Sequence, residues 1–347
     1  MTSPVIRRPG LLLAVVLLAV FAMLVLGTNA VTVEIDFSSM VATARELVAA
    51  GRTHLDVEAV DLPLGPVAAG IAQLNDDVMN GQGIRIVRGF PVDDLAVTEL
   101  IFWRVGLELG TPVSQSVMGD RLGHIIDMTD VDPHARAYRR SEELSPHTDP
   151  GDILSFLCIR PASEGGASHF VSSMTIYEEL RRRHPELLAR HARGWRYHRF
   201  GEQPDDAEPI TEYLVPTYSE RDGVLSNRYL RQYIEIANDE DPELCPLDDV
   251  DRQALETIDA LGRDRRLALT FTLQSGEAVF ANNYTVMHSR DGFSDPPGGE
   301  KRLLLRLWIE SHTPRPVLAE TFLYPGGAGI PPQPGRRPSF ATDVEII

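Results

Sequence analysis

The sequence predicts a mainly β protein, a jelly-roll barrel with helical buttresses. Strand-like apolar stretches bounded by turn residues dominate the second half of the chain, whereas helical patterns lie in the first half and in the middle of the chain. This segregation favours an antiparallel architecture supported by helices. A doubly wound parallel sheet would require regular strand–helix alternation and a glycine-rich first turn, and the sequence has neither.

Two helices and a strand are predicted in the first half. The stretch DFSSMVATARELVAAG predicts a helix that ends at Gly51. In GQGIRIVRGFPV, the apolar residues Ile84, Ile86 and Val87 form the core of a strand between glycines. The stretch DDLAVTELIFWRVGLELG predicts an amphipathic helix, because acids begin it, where the helix dipole favours them, and Gly110 ends it.

The second half contains most of the predicted strands. ILSFLCIR begins one at Ile153, and HFVS forms another. SMTIYEELRRRHPELLARH predicts a helix interrupted at Pro185, and residues 200–222 predict a long surface excursion. DDVDRQALETIDALG predicts a helix with one apolar face, formed by Val250, Ala254, Leu255, Ile258 and Leu261. Three strand-like stretches follow: LALTFTL, EAVFANNYTVMH and RLLLRLWIE.

The two ends of the chain are set apart from a single domain over residues 31–323. Residues 1–30 contain the apolar run Leu11–Leu26, which follows basic residues and resembles a secretory signal or a short membrane anchor. A third alternative is that the true start lies downstream. Residues 324–347 are rich in Pro and Gly and are expected to be disordered or draped over the domain. A cytoplasmic enzyme is the expected outcome, with anchoring or export through residues 1–30 as the alternative.

Composition limits the classes of partner. The net charge of −17 argues against nucleic acid, whose phosphates require a basic protein face. Membrane contact is expected only if the N-terminal segment is a true anchor. The two cysteines, Cys158 and Cys245, support neither a disulfide scaffold nor a thiolate metal site. The sequence does not determine the oligomeric state, so a homo-oligomer stays open.

A metal site is predicted from one short motif and one distant histidine. In SPHTDPGD, His147 and Asp149 would point the same way if this run belongs to a strand. One imidazole and one carboxylate are two of the three ligands of a known type of non-haem iron site. Among the ten histidines, His288 is the best third ligand, because it ends a predicted strand and precedes the polar turn SRDGF.

Two arginines interrupt the apolar strand RLLLRLWIE. Arg302 and Arg306 are four residues apart, so in a strand they share one face with Leu304 and Trp308. Two permanent cations on a barrel face are costly unless each meets an anion. An isolated pair of this kind would usually face solvent. Beside a histidine–aspartate motif, the pair instead predicts a ligand that carries two carboxylates.

These motifs resemble the TauD/TfdA family of taurine-dioxygenase-like oxygenases that depend on Fe(II) and 2-oxoglutarate. The likeness runs in the family's order through HTD, GGAS, NNYTVMHSRDGF and KRLLLRLW, and it covers most of the chain. It implies a double-stranded β-helix, a distorted jelly roll. It also implies that His147, Asp149 and His288 bind the iron, while 2-oxoglutarate and O2 occupy the open positions. Arg302 and Ser168 would bind the distal carboxylate of 2-oxoglutarate, and Arg306 an acidic group of the substrate.

The resemblance implies an enzyme that hydroxylates an unactivated C–H bond of a small, anionic metabolite and releases succinate and CO2. An alternative is an exported or membrane-anchored jelly-roll binding module without catalysis, which the N-terminal segment would favour. A zinc hydrolase that uses the same ligands is a more distant alternative, because it leaves the paired arginines unexplained. The sequence does not identify the substrate.

Overall fold

The structure is a computed structural model that describes residues 27–128, 140–296, 298–324, 327 and 329–335. The apolar run Leu11–Leu26 and the last residues of the C-terminal tail lie outside these ranges. Within them, no helix combines the length and the apolar character needed to cross a membrane.

Helices and strands follow the predicted order. The helices are α1 (Ser38–Ala49), α2 (Ala68–Met79), α3 (Leu95–Leu109), α4 (Ser173–Arg183), α5 (Pro185–Arg193), α6 (Arg231–Glu240) and α7 (Asp249–Gly262). The strands are β1 (Thr32–Glu34), β2 (Ile84–Arg88), β3 (Gly110–Pro112), β4 (Gly123–Ile125), β5 (Leu144–His147), β6 (Ile153–Arg160), β7 (Glu164–Gly165), β8 (Ser168–Ser172), β9 (Tyr218–Arg221), β10 (Val224–Asn227), β11 (Ala268–Phe271), β12 (Glu277–Asn282), β13 (Val286–Arg290), β14 (Phe293–Ser294) and β15 (Leu303–Ser311).

Two sheets form the jelly roll. The major sheet has seven strands in the order β1-β2-β12-β6-β15-β3, with β4 also paired to β15. The minor sheet has the order β11-β8-β13-β5. Apart from the parallel β1–β2 pair, neighbouring strands in both sheets are antiparallel. The predicted fold class is confirmed: this is the double-stranded β-helix, with helices packed outside.

The major sheet is buried on both faces. In β12, Ala278 and Phe280 pack against the α1–α3 side, whereas Val279 and Ala281 face the minor sheet. Because both faces are covered, the strands are apolar at nearly every position. A polar residue on the inner face therefore needs a specific reason to be there.

Helix ends follow their local sequence signals. The Asp94 carboxylate accepts hydrogen bonds from the backbone N–H groups of Ala96 and Val97 at the start of α3. Asp248 and Asp251 form a reciprocal capping box at the start of α7. These caps hold the helices that support the sheets.

Three predictions about elements are wrong. EAVFANNYTVMH is two strands, β12 and β13, which lie in different sheets. The change of sheet occurs at Asn282, whose side-chain oxygen accepts the Tyr284 N–H at 2.9 Å and so closes the turn. Val250 is 39% exposed and does not belong to the apolar face of α7. Residues 200–222 are not simply a surface excursion, because Val215 and Tyr218 are buried in the core formed by the inserted helices.

The described part of the C-terminal tail packs against the domain. Ile330 is buried, and its N–H donates to the Ser114 carbonyl at 3.0 Å. The Gln333 N–H donates to the Val117 carbonyl at 2.7 Å. This part of the tail is therefore draped over the domain, held by backbone hydrogen bonds.

We expect the folded protein to lose stability between pH 6.5 and pH 4 because of His191. This residue of α5 is fully buried against Trp195 and Tyr218, and burial lowers its pKa to about 4. The unfolded chain takes up this proton below about pH 6.5 while the folded chain does not, so the free energy of unfolding falls as the pH decreases. The loss should be about 2–3 kcal/mol between pH 7 and pH 4.5.

Urea unfolding of the wild type and of His191→Leu at the two pH values measures this effect. The variant should lose less stability than the wild type over the interval, by the amount given above. His184→Gln, at a partly exposed histidine, is the control and should follow the wild type. Parallel pH profiles for the wild type and His191→Leu would show that His191 does not titrate in this way.

Candidate metal centre

Two of the predicted metal ligands are neighbours across two strands. His147 ends β5 and His288 lies in β13, and the antiparallel register places them directly opposite each other. Their ring centroids are 4.2 Å apart. Residues far apart in the chain therefore present two imidazoles at one point of the minor sheet.

The third ligand comes from the connection between the two sheets. Asp149 lies after the end of β5 and before β6, which belongs to the major sheet. The argument that strand alternation aligns His147 with Asp149 is therefore wrong, although the structure does bring them together. The Trp308 indole N–H donates to Asp149 Oδ2 at 2.9 Å, and Arg228 donates to the Asp149 carbonyl. These contacts hold the connection in place.

The three side chains form a compact group that could hold one metal ion. His147 Nε2 lies 3.7 Å from Asp149 Oδ1, and His288 Nε2 lies 3.9 Å from Asp149 Oδ2. The candidate ligand atoms all lie within 4.8 Å of one another. The Ser145 carbonyl lies 2.7 Å from His147 Nδ1, which places the ring proton on Nδ1 and leaves Nε2 for a metal.

The protonation states also suit a metal. Burial, with the neighbouring His147, lowers the pKa of His288 to about 3, so this imidazole is neutral near pH 7 and offers its lone pair. Burial alone would raise the pKa of Asp149. The Arg306 guanidinium opposes this effect most strongly, and the pKa of Asp149 lies below its usual value. Two imidazoles and one carboxylate are the donor set of a non-haem Fe(II) site, so these residues fit iron.

A cavity of about 640 Å³ opens onto this group. Arg302, Leu304, Arg306 and Trp308 all line it. Arg302 directly precedes β15, and the other three residues belong to it. The prediction that these four side chains share one face is therefore confirmed, and that face points into the cavity. Both arginines are buried, at 5% and 3% exposed.

Arg306 lies beside the metal ligands. Its Nε donates to Gln115 Oε1 at 2.5 Å, and its Nη1 lies 3.6 Å from Asp149 Oδ2. Its guanidinium carbon lies 4.5 Å from the centroid of the Trp308 ring. The residue predicted to bind substrate is thus also the ion-pair partner of a predicted metal ligand, a contact that the sequence did not indicate.

Arg302 has a second buried arginine near it. Burial lowers the pKa of Arg302, and burial together with Arg302 lowers the pKa of Arg290 to about 9. Ser168 also lines the cavity and is directly opposite Arg290 in the β8–β13 register. From the sequence, Arg290 was expected in a polar turn. Its spacing of two from His288 in an extended stretch was the available signal that both side chains share a face.

Buried residues next to the metal ligands hold the backbone of the site. Arg228 and Tyr229 are buried, and the backbone of Tyr229 exchanges hydrogen bonds with Thr148 beside the metal ligands. Asp152 accepts the Ser311 N–H at 2.8 Å. Arg231, by contrast, lines the cavity and pairs with Asp259 at 3.0 Å.

A jelly roll that carries two histidines and an aspartate beside an arginine-lined cavity defines the class of mononuclear non-haem iron oxygenases. Comparison with known proteins supports this class. Residues 49–308 match the family described as "Taurine catabolism dioxygenase TauD, TfdA family". The chain is 31% identical over 272 residues to FR-33289 synthase of Streptomyces rubellomurinus, a match that covers 75% of this chain and 78% of that protein.

Solved structures share the fold at low sequence identity. An asparagine oxygenase in complex with Fe(II), hydroxyasparagine and succinate matches with a TM-score of 0.62 and 17% identity, over 81% of this chain and 93% of that chain. The oxygenase OrfP in complex with Fe and α-ketoglutaric acid matches with a TM-score of 0.58 and 15% identity, over 81% of this chain and 94% of that chain.

The chain belongs to the TauD/TfdA family. It is an Fe(II)- and 2-oxoglutarate-dependent dioxygenase that hydroxylates a small molecule and uses O2 as the oxidant. This conclusion decides against the silent binding module and against the zinc hydrolase.

Proposed function

We propose that this dioxygenase hydroxylates a small acid, with a free amino acid as the first class to test. The observation that supports it is the cavity, in which the metal ligands and the buried guanidinium group of Arg306 lie together. The asparagine oxygenase and OrfP structures contain hydroxylated asparagine and arginine, which are small molecules with a free carboxylate. A carboxylate on the substrate would suit a permanent cation in a cavity of this size.

His147, Asp149 and His288 are proposed to hold the iron. When bound, iron supplies the activation of O2 that couples the decarboxylation of 2-oxoglutarate to C–H hydroxylation. The protein's contribution is to fix the ligands, through Trp308 and Arg228 on Asp149, and to keep the His288 imidazole neutral by burial, which lowers its pKa to about 3. A buried and rigid arrangement of this kind holds the reacting groups in place without reorganisation.

Arg302 and Ser168 are proposed to bind the distal carboxylate of 2-oxoglutarate. Arg302 is buried on the cavity wall, where burial penalises its charge, and a bound carboxylate would offset this penalty with charge-assisted hydrogen bonds. Ser168 also lines the cavity, and its hydroxyl would donate to the same group.

Arg306 is proposed to bind the acid of the substrate. Its contact with Asp149 brings a positive charge next to the metal ligands, so a substrate acid held there would lie close to the reacting centre. Because Arg306 also lowers the pKa of Asp149, substrate and metal ligand would share one cation.

We also propose that residues 31–323 form the catalytic unit and that the enzyme works in the cytoplasm, where Fe(II) and 2-oxoglutarate are available. Deletion of residues 1–26 should leave cooperative melting and succinate formation unchanged. This deletion keeps the 3-10 turn Gly27–Ala30, whose Thr28 carbonyl accepts the N–H of the fully buried Val31 at 3.0 Å. Loss of the melting transition in this truncation would show that residues 1–26 contribute to the core.

The test of the proposed function is a succinate-release screen. The full chain is loaded with Fe(II) without oxygen, mixed with 2-oxoglutarate and one candidate acid, and then exposed to O2. We expect a subset of small acids, led by free amino acids, to stimulate succinate formation and to gain one oxygen atom by mass spectrometry. Asp149→Ala gives the background. Equal stimulation by the primary amides of the active acids would overturn the carboxylate assignment.

A further inference from the structure

Two buried arginine side chains lie against one aromatic ring. The guanidinium carbons of Arg290 and Arg302 lie 4.8 Å and 5.0 Å from the centroid of the Phe293 ring. Arg290 is 6% exposed and Arg302 is 5% exposed, and both line the cavity that contains the metal ligands. Arg302 lowers the pKa of Arg290 by charge repulsion, so an anion between the two desolvated cations would stabilise them.

The residues that the structure describes do not supply that anion at close range. In the part of the chain that the structure describes, no carboxylate lies within 4.0 Å of either guanidinium group. Asp295 accepts the backbone N–H of Arg302 at 2.9 Å, and Asp295 and Asp127 act on the two guanidinium groups only as weaker charges.

The hydrogen bonds of Arg290 leave part of its guanidinium without an acceptor. Its Nη2 donates to the carbonyls of Arg140 and Glu142 at 2.8 Å and 2.5 Å. Its Nε is buried and has no hydrogen-bond partner. Backbone carbonyls satisfy donors without neutralising the charge, so among the described residues only the more distant Asp127 offsets the charge of Arg290.

We propose that Arg290 is a second cation of the cosubstrate site and that the distal carboxylate of 2-oxoglutarate is held by Arg290 and Arg302 together. This inference rests on the proposed placement of 2-oxoglutarate at Arg302. Ser168, the proposed hydroxyl donor, is directly opposite Arg290 in the sheet register, Arg290 and Arg302 lie against the same Phe293 ring, and all three residues line the cavity. The pair selects keto acids that carry a second carboxylate, because a keto acid without one leaves both cations uncompensated.

The alternative is that Arg290 only fixes the backbone of residues 140–142. That role would affect the binding of every keto acid alike. A cation that binds the distal carboxylate, by contrast, affects only keto acids that have this group. The experiment therefore compares 2-oxoglutarate with 2-oxobutyrate, which keeps the chelating end and lacks the distal carboxylate. Dissociation constants are measured without oxygen on the full chain loaded with Fe(II), from the visible band of the keto-acid complex.

We expect Arg290→Met to reduce the preference for 2-oxoglutarate over 2-oxobutyrate by about tenfold or more. A change of this size is a modest part of the interaction energy between two opposite unit charges about 4 Å apart. The affinity for 2-oxobutyrate should change little. Arg290→Lys keeps a charge and should retain most of the preference. Arg315→Met is the control, since it removes a half-buried guanidinium that donates to the Leu225 carbonyl outside the cavity.

An unchanged preference in Arg290→Met, or an equal loss of affinity for both keto acids, would overturn the inference and leave Arg290 a structural role. Arg302→Met separates this failure from failure of the proposed function. If Arg302→Met lowers the preference and Arg290→Met does not, only the assignment of Arg290 as the second cation is wrong. If neither variant lowers it, 2-oxoglutarate is not held where we propose. If Arg290→Met fails to fold, Arg290→Lys serves as the test, because it keeps the positive charge. A more than threefold loss of the preference for 2-oxoglutarate over 2-oxobutyrate in folded Arg290→Lys would overturn the inference that the charge of Arg290 binds the distal carboxylate.

Discussion

Asp149→Ala should abolish productive iron binding. The variant leaves two imidazoles and removes the only carboxylate of the proposed ligand set. Loss of a residue that only hydrogen-bonds to a metal ligand costs roughly 10–100-fold in metal affinity, so loss of the ligand itself should lower the Fe(II) affinity by more than this. Fe(II) titration without oxygen measures the affinity. The weak visible band that Fe(II) and 2-oxoglutarate give in the wild type should be missing at the same protein concentration.

Asp152→Asn is the matched control for this variant. Asp152 is also a buried aspartate of the same connection, but it accepts a backbone hydrogen bond from Ser311 and does not line the cavity. An asparagine keeps that acceptor, so iron affinity should stay near the wild-type value. Equal iron affinity in the wild type and in Asp149→Ala would show that the carboxylate assignment is wrong.

Arg302→Met should raise the concentration of 2-oxoglutarate needed for half-saturation by a few hundred-fold or more. Removing one partner of a buried charge pair costs about 3–5 kcal/mol. Methionine keeps the apolar stem in the cavity wall, so packing against Phe293 should be largely preserved. The readout is the dissociation constant of 2-oxoglutarate in the protein loaded with Fe(II), together with the melting temperature as a check on folding.

Arg306→Met should give a different result from Arg302→Met when 2-oxoglutarate binding is measured in the same way. Its 2-oxoglutarate affinity should stay nearly intact, whereas substrate binding should weaken and succinate should form in excess of hydroxylated product, because the reacting C–H bond is poorly held. The contact with Asp149 adds a second expectation. Without the Arg306 cation the pKa of Asp149 rises, so the carboxylate is protonated at a higher pH. As the pH is lowered, the variant should therefore lose iron affinity at a higher pH than the wild type does.

Equal effects of the two arginine variants on 2-oxoglutarate affinity would mean that their roles are wrongly divided. If neither variant changes cosubstrate or substrate binding, the two guanidinium groups do not serve the reaction. Both results are distinct from the outcome for Asp149→Ala, which tests the metal alone.

The predicted elements with strong local signals agree with the structure. α1, β2 and α3 lie where the apolar periodicity and the end signals place them, because helix and strand periods and their caps depend on neighbouring residues. The same local rule placed Arg302 and Arg306 on one face with Leu304 and Trp308. The failures occur where a local pattern meets long-range pairing: EAVFANNYTVMH has the pattern of one strand, and only the pairing into two sheets divides it.

The sequence by itself determined which residues we propose for a metal and for two acidic ligands, because these residue types and their order are local and chemically distinctive. Only the tertiary structure decided how they meet. His147 and His288 are neighbours through the register of β5 and β13, and Asp149 reaches them from the connection to the other sheet. Register between distant strands is set by the packing of whole sheets, which no local pattern contains. The same packing places Arg290 and Arg302 against one Phe293 ring and Arg306 beside Asp149, and the roles that we propose for these arginines depend on those contacts.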